Sequence, residues 1–126
     1  MANNELFDKI SDIIYKNDLE GFKKIIDTMS NANEQNKHGE SALHLAIRRN
    51  RTDMIKYLVE DKNADINIKD AAGWTPLMEA VVDNFPEVVK YLMEKGADKS
   101  IPNGRGEGAP KLAQKFGRSS MFEYLL

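Results

Sequence analysis

One residue pattern recurs along this chain of 126 residues at a nearly constant step. It is marked by two series, Asn17, Asn50, Asn84 and Gly117, and Gly39, Gly73 and Gly106. The first series separates short apolar segments of helical period. Asn and Gly adopt a left-handed backbone readily, so each can end one helix and turn the chain into the next. This period of 33 or 34 residues predicts stacked repeats, which act through a surface and not through a pocket.

The third repeat shows how one unit is built. Thr75 suits a helix N-cap, and Pro76 suits the first helical position, where no backbone donor is needed. Leu77, Ala80 and Val81 follow as one apolar stripe. Such short helices fall below the ~12–15 residues that an isolated helix needs, so stacking must stabilise them.

Apolar stripes at the same helical spacing recur in every repeat and predict its core. Its members are Ile10, Ile13, Ile14, Phe22, Ile25 and Ile26, then Leu43, Ala46, Ile47, Ile55, Leu58 and Val59, then Leu77, Ala80, Val81, Val88, Val89, Leu92 and Met93, and finally Ala113, Phe122, Leu125 and Leu126.

Three segments resemble the ankyrin-repeat signature: GESALHLA (39–46), GWTPLMEA (73–80) and LMEKGAD, which ends at Asp98. The resemblance implies an all-α solenoid of about four stacked helix-turn-helix units with hairpin-like turns, in which the terminal units act as caps. It implies one domain over residues 1–126, with repeats at 3–35, 36–69, 70–102 and a truncated 103–126.

Three departures from the repeat carry expectations of their own. One extra residue within 60–63 is expected to be a tolerated loop insertion after the second helix. Gly108-Ala109-Pro110 replaces Thr-Pro-Leu, so that helix is expected to start late or to tilt. The apolar end, Met121 to Leu126, is expected to pack inward as a cap, and self-association through it is the alternative.

Composition and motifs give no sign of catalysis. There is no cysteine, and the two histidines are His38 in a turn and His44, which by resemblance is structural. NGRGEG (103–108) coincides with a repeat turn and lacks the ending of a phosphate loop. We predict no enzyme, no catalytic residue, no cofactor and no metal site. With no signal-peptide pattern and no apolar run of about 20 residues, a cytoplasmic location is expected.

The family resemblance implies a protein partner, bound by hairpin tips and by a concave face of first helices. The matching positions are Tyr15, Lys37, His38, Glu40, Arg48, Arg49, Trp74, Val82, Asp83, Arg105, Lys115 and Phe116. Trp74 has a packing role as its alternative. A basic cluster of Arg48, Arg49 and Arg51 next to Lys37 suits an acidic partner surface, and a solvated helix end is the alternative.

We therefore expect a monomeric adaptor or inhibitor, with a bacterial immunity-type inhibitor as one version and a self-associating assembly module as the alternative. Excess charge changes sign from repeat to repeat, acidic in the first and third and basic in the second and fourth. This alternation argues against nucleic acid as the partner. No membrane partner is expected.

Overall fold

Regular structure in the described part of the chain, residues 2–126, is helical apart from one isolated bridge between Gln35 and Ser41. The computed structural model divides the chain into two units, the first ending at Asp65 and the second running from Ile66 to Leu126. Each unit contains the helices of two of the predicted repeats. Whether the units form the single domain expected from the sequence stays a prediction.

Each repeat contributes a first and a second helix. In the first unit these are α1 (Asn3–Tyr15), α2 (Leu19–Asp27), α3 (Ala42–Arg48) and α4 (Thr52–Lys56), which continues as a π-helical turn (Tyr57–Asp61). In the second unit they are α5 (Pro76–Val82), α6 (Pro86–Glu94), α7 (Ala109–Lys115) and α8 (Phe122–Leu125), which follows a 3₁₀ turn (Ser119–Met121). Within each unit, first helices pack on first helices and second helices on second helices.

The predicted left-handed residues are confirmed in both series. The φ angles are 57°, 54°, 64° and 66° at Asn17, Asn50, Asn84 and Gly117, and 74°, 82° and 76° at Gly39, Gly73 and Gly106. At Gly73 space also excludes a side chain, because a Cβ would lie 2.9 Å from the backbone nitrogen of Gly104. The residue types that mark the period are therefore those that the backbone requires.

The starts of α3 and α5 are capped by hydroxyl side chains, at α5 by the predicted Thr75. The Thr75 hydroxyl accepts a hydrogen bond from the backbone N–H of Met78, and Pro76 is the first residue of α5. The Ser41 hydroxyl accepts from the N–H of His44, whose side chain in turn accepts from the Ser41 N–H, which completes a capping box. These caps satisfy donors that a helix start leaves unpaired.

Most of the predicted core is buried, with exceptions mainly on one face of the second helices. Ile25, Val59 and Met93 are half-buried, as are Ile13 and Phe122, and the remaining stripes apart from Leu126 are buried. The prediction for Leu126 was wrong, because its side chain is 60% exposed. Met121 and Leu125 are buried within the second unit, which agrees with an inward-packed cap.

The extra residue of the second repeat lies inside a helix and not in a loop. The N–H of Lys62 donates to the carbonyl of Tyr57 at 3.1 Å, a bond that reaches one residue further back than in an α-helix and widens the helix into a π turn. Asn63, with φ 55°, then ends the helix. The predicted loop insertion was wrong in position, because one wider turn absorbs the extra residue.

The fourth repeat keeps its register where a late start was expected. α7 begins at Ala109, which is the position equivalent to Pro76 at the start of α5. Its N-cap is Gly108, which has no side chain to cap the helix, and a Cβ there would lie 3.2 Å from the carbonyl oxygen of Lys99. Pro at the second helical position needs no donor, so the helix starts without a side-chain cap. The expectation of a late start was wrong.

Candidate functional site

In the first unit, the exposed surface at the ends of the first helices centres on an aromatic ring with a cation above it. Tyr15 is the last residue of α1, and its side chain is 64% exposed. The guanidinium of Arg49, just after α3, lies 5.2 Å from the centre of that ring. This distance is within the range of a cation–π contact, so the two predicted residues come together.

The hairpin before α3 places two more of the predicted residues in solvent. Lys37 and His38 are exposed, and the backbone N–H of His38 donates to the Asn36 side chain at 2.9 Å. Asn36 also accepts from the N–H of Glu40 at 2.8 Å. One side chain therefore fixes the backbone of the tip, while the Lys37 and His38 side chains stay exposed.

Glu40 and Arg48 form an ion pair within the first unit. The Arg48 guanidinium donates to the Glu40 carboxylate, and the Asn36 amide donates to its other oxygen at 3.1 Å. Burial acts to raise the pKa of Glu40, but the hydrogen bonds from Arg48 and Asn36 outweigh it and leave the pKa lowered. Glu40 is half-buried, and Arg48 remains exposed beside it.

Arg51 has a role that the sequence did not reveal. Its guanidinium donates to the carbonyl oxygens of Ile14 at 2.8 Å and Tyr15 at 2.9 Å, at the end of α1 in the preceding repeat. Carbonyls at a helix end lack the donor four residues further on, although that of Ile14 also accepts from the N–H of Asn17 at 3.1 Å. A cation at this end also suits the helix dipole. Arg51 therefore caps the first helix of the preceding repeat and does not act as a member of the predicted basic cluster.

The second unit presents its six predicted residues differently. Arg105, Lys115 and Phe116 are exposed, and the half-buried members are Trp74, Val82 and Asp83. The Phe116 side chain is 42% exposed, and the Lys115 ammonium lies 5.8 Å from the centre of its ring. An exposed aromatic residue with a nearby cation thus recurs at the end of α7.

Trp74 helps to close the hairpin before α5 through its backbone. Its N–H donates to the Asp70 side chain at 2.9 Å, and its carbonyl accepts from the Asp70 N–H at 2.9 Å. The indole is half-buried. These bonds give the residue a structural duty beside any role toward a partner.

The polar contacts of the first unit recur at the equivalent positions of the second. Lys115 donates to Glu107 at 2.9 Å, as Arg48 does to Glu40, and this bond is the main reason that the pKa of Glu107 is lowered. Arg118, the equivalent of Arg51, donates to the carbonyls of Val81 at 3.1 Å and Val82 at 2.6 Å. An Arg directly after the left-handed residue, at 51 and 118, is the sequence signal that was missed.

His44 is structural, as the resemblance implied. Its side chain is buried, and its Nδ1 lies 2.9 Å from the Ser41 hydroxyl oxygen. Among the described residues, no three His, Cys, Asp or Glu side chains are grouped closely enough to hold a metal ion. Over the same residues, 2–126, every helix is too short or too polar to cross a membrane.

A second polar cluster lies on the second helices of the first unit. The Tyr57 hydroxyl donates to Asp27 at 2.5 Å, and the Lys62 ammonium donates to the same oxygen at 3.0 Å. The bond to Asp27 is the main reason that the pKa of Tyr57 is raised to about 12. A shallow groove of about 240 Å³ runs beside it, lined by Leu19, Lys23, Asp53, Lys56, Tyr57, Glu60 and Asp61.

Helix pairs joined by tight turns and preceded by hairpins define the protein as a helical repeat protein. A family model for three copies of the ankyrin repeat matches residues 10–103, so the chain belongs to the ankyrin-repeat family. The predicted family and the all-α ankyrin-repeat fold class are confirmed. The matched segment stops before α7, and the structure adds the truncated fourth repeat.

Similar proteins occur in animals and bacteria. Human protein phosphatase 1 regulatory subunit 27 is 41% identical over 69 residues, which are 55% of this chain and 44% of that protein. A putative ankyrin repeat protein of Rickettsia bellii is 31% identical over 112 residues, which are 88% of this chain and 62% of the relative. Another from the same organism is 36% identical over 90 residues, 68% of this chain and 54% of the relative. The chain therefore spans less than two thirds of each of these relatives.

Proposed function

We propose that this protein is a non-enzymatic adaptor or inhibitor that binds a protein partner through its hairpin tips and the ends of its first helices. Ankyrin repeats are protein–protein interaction modules. The observation that carries the proposal is the exposed aromatic residue at a first-helix end of each unit, Tyr15 and Phe116, each with a cation close to its ring. Aromatic residues and Arg are enriched where protein interfaces are strongest.

The relatives support a regulatory role and leave the partner open. One of them is a regulatory subunit of a phosphatase, which agrees with action by binding. A cytoplasmic location and the bacterial immunity-type version of the inhibitor stay predictions. Of the predicted binding residues, the exposed side chains at Tyr15, Lys37, Arg49, Arg105 and Phe116 give the proposal its strongest support.

The proposal is tested by comparing what three forms of the full chain capture from the cells that encode it. The first form is the wild type, and the second is the triple variant Tyr15→Ala, Arg49→Ala, Phe116→Ala. The third carries Lys24→Ala and Lys90→Ala, which remove exposed side chains from the second helices α2 and α6. We expect one protein to be enriched on the wild type and the control and lost from the triple variant.

Capture of the same protein in equal amount by all three forms would contradict the proposed surface. Circular dichroism of each form establishes that the helices are intact. Loss of capture by the control alone would indicate that the partner binds the second helices and not the first-helix ends.

A further inference from the structure

The three arginines at the end of α3 have three different environments. Arg51 uses its guanidinium to cap α1, with donors at 2.8 and 2.9 Å from two backbone carbonyl oxygens. Arg48 is paired with Glu40. Among the described residues Arg49 has neither kind of contact, so the cluster contributes one guanidinium whose hydrogen-bond donors are all available.

Arg49 is open but held in place. Within residues 2–126, its guanidinium has no hydrogen-bond acceptor and no carboxylate partner, and its one interaction is with the Tyr15 ring, 5.2 Å from the ring centre. Arg51 fixes the backbone carbonyl of that same Tyr15. A guanidinium in cation–π contact with a ring keeps its N–H donors available, and it loses less freedom on binding than a side chain without such a contact does.

The charges around Arg49 leave this surface positive. Asp12 is paired with Lys16 at 2.9 Å, and Glu40 is paired with Arg48, so each of these two carboxylates already has a cation beside it. Lys37 at the adjacent hairpin tip is exposed. Arg49 and Lys37 are therefore the charges left for a partner to complement, and an acidic group is the kind of group that complements them.

We propose that the Tyr15–Arg49 pair is the docking point for an acidic segment of the protein partner. Resting on the function proposed above, this inference names the chemistry of the partner. A Glu or Asp carboxylate of that segment accepts two parallel hydrogen bonds from the Arg49 guanidinium, and a neighbouring side chain of the segment packs on the Tyr15 ring. Lys37 adds attraction at longer range.

The test is a titration of the full chain with a defined probe. The probe is a fluorescein-labelled, end-capped peptide of sequence Gly-Glu-Glu-Leu-Glu-Glu-Gly, followed by fluorescence anisotropy at low salt. Its matched control peptide carries Gln in place of every Glu. We expect the acidic peptide to bind and the amide peptide to bind about fivefold more weakly, because an exposed charged pair contributes up to about this factor.

Protein variants locate the binding site. Arg49→Gln is expected to weaken the acidic peptide about fivefold, and Arg49→Lys is expected to lie between it and the wild type, since an ammonium keeps the charge and loses the planar fork. Lys90→Gln, which removes the same charge from an exposed position on the second helix α6, is expected to leave the affinity unchanged. Unchanged melting curves establish that the variants are folded.

Three results would overturn the inference. They are equal binding of the acidic and amide peptides, equal weakening by Arg49→Gln and Lys90→Gln, and tighter binding of an oligothymidylate with the same charge as the peptide. If a native partner is captured and Arg49→Gln leaves that capture intact, the acidic docking point fails while the protein-binding function stands. If the peptide results hold and the wild type captures no protein from the cells that encode it, the protein-binding function fails while the acidic-peptide site stands.

Discussion

At the scale of single residues, the contact between Tyr57 and Asp27 has a direct consequence for titration. The Tyr57 hydroxyl donates to Asp27 at 2.5 Å, and this bond, helped by burial and by the Asp27 charge, raises the pKa of Tyr57 from 10.0 to about 12. The protonated phenol is thus favoured in the folded state. Its contribution to stability is present in full below pH 10.0 and is lost as the pH rises toward about 12.

This titration can be followed by the ultraviolet absorbance of phenolate. Subtracting the curve of Tyr57→Phe from that of the wild type isolates one of the four tyrosines. We expect a midpoint of about 12 for Tyr57 and, in Asp27→Ala, a shift back toward 10.0. A midpoint of 10.0 with Asp27 intact would mean that the hydrogen bond does not form in solution.

The helix ends could be predicted because their causes are local. Asn17, Asn50 and Asn84 adopt positive φ for a reason that belongs to the residue type itself, and the Thr75 cap reaches only as far as Met78. Leu126 was misassigned because a stripe pattern continues to the chain end, whereas burial requires a neighbour to cover the side chain. No residue-level rule supplies that neighbour.

At the scale of helices, two arginines cap the first helix of the preceding repeat. Arg51 caps α1 and Arg118 caps α5, each through two carbonyl oxygens. These bonds join one repeat to the next, so the neighbouring residues in the sequence do not reveal them. Arg51 was therefore predicted to form a basic cluster with its neighbours Arg48 and Arg49. The spatial partner of each side chain, which no local pattern encodes, separates their roles.

Replacing the capping arginine is expected to destabilise the first unit. Arg51→Met keeps an unbranched apolar stem but removes the donors that reach two helix-end carbonyls, so we expect a loss of about 1–2 kcal/mol in the free energy of unfolding. Arg49→Met, at a neighbouring position, is expected to change it by less than about 0.5 kcal/mol, because Arg49 is exposed and makes no hydrogen bond within the described residues. Urea denaturation measures both.

Equal losses in Arg51→Met and Arg49→Met would contradict this division of roles. Arg118→Met provides an independent check in the second unit and should behave like Arg51→Met. The comparison separates the structural arginines from the one offered to a partner.

The π turn after α4 is the second difference between the predicted and the observed helices, because the extra residue was predicted in a loop. An extra residue was visible from the spacing of the repeats, but its position depends on which arrangement keeps both the core and the next turn in register. The widened turn keeps Leu58 buried and brings Lys62 to Asp27 at 3.0 Å. A loop insertion and a π turn have the same length signature, so spacing alone could not distinguish them.

At the scale of the molecule, each unit combines a shared framework with its own exposed chemistry. The ion pairs Glu40–Arg48 and Glu107–Lys115 and the two arginine caps stand at equivalent positions of the two units, and they belong to the fold. The side chains at the helix ends differ, with Tyr15 and Arg49 in one unit where Val82 and Phe116 stand in the other. The family and its helical repeats were predictable from sequence. Which side chains are available to a partner depends on the internal contacts, which only the structure gives.

The central claim, that a protein partner binds at the first-helix ends, is tested most directly by the affinity of the captured partner for the full chain. Isothermal titration calorimetry compares the wild type with the triple variant Tyr15→Ala, Arg49→Ala, Phe116→Ala and with the second-helix control Lys24→Ala, Lys90→Ala. We predict that the triple variant binds at least about thirtyfold more weakly, as expected when central interface residues are removed, and that the control binds like the wild type. An unchanged affinity in the folded triple variant would contradict the claim.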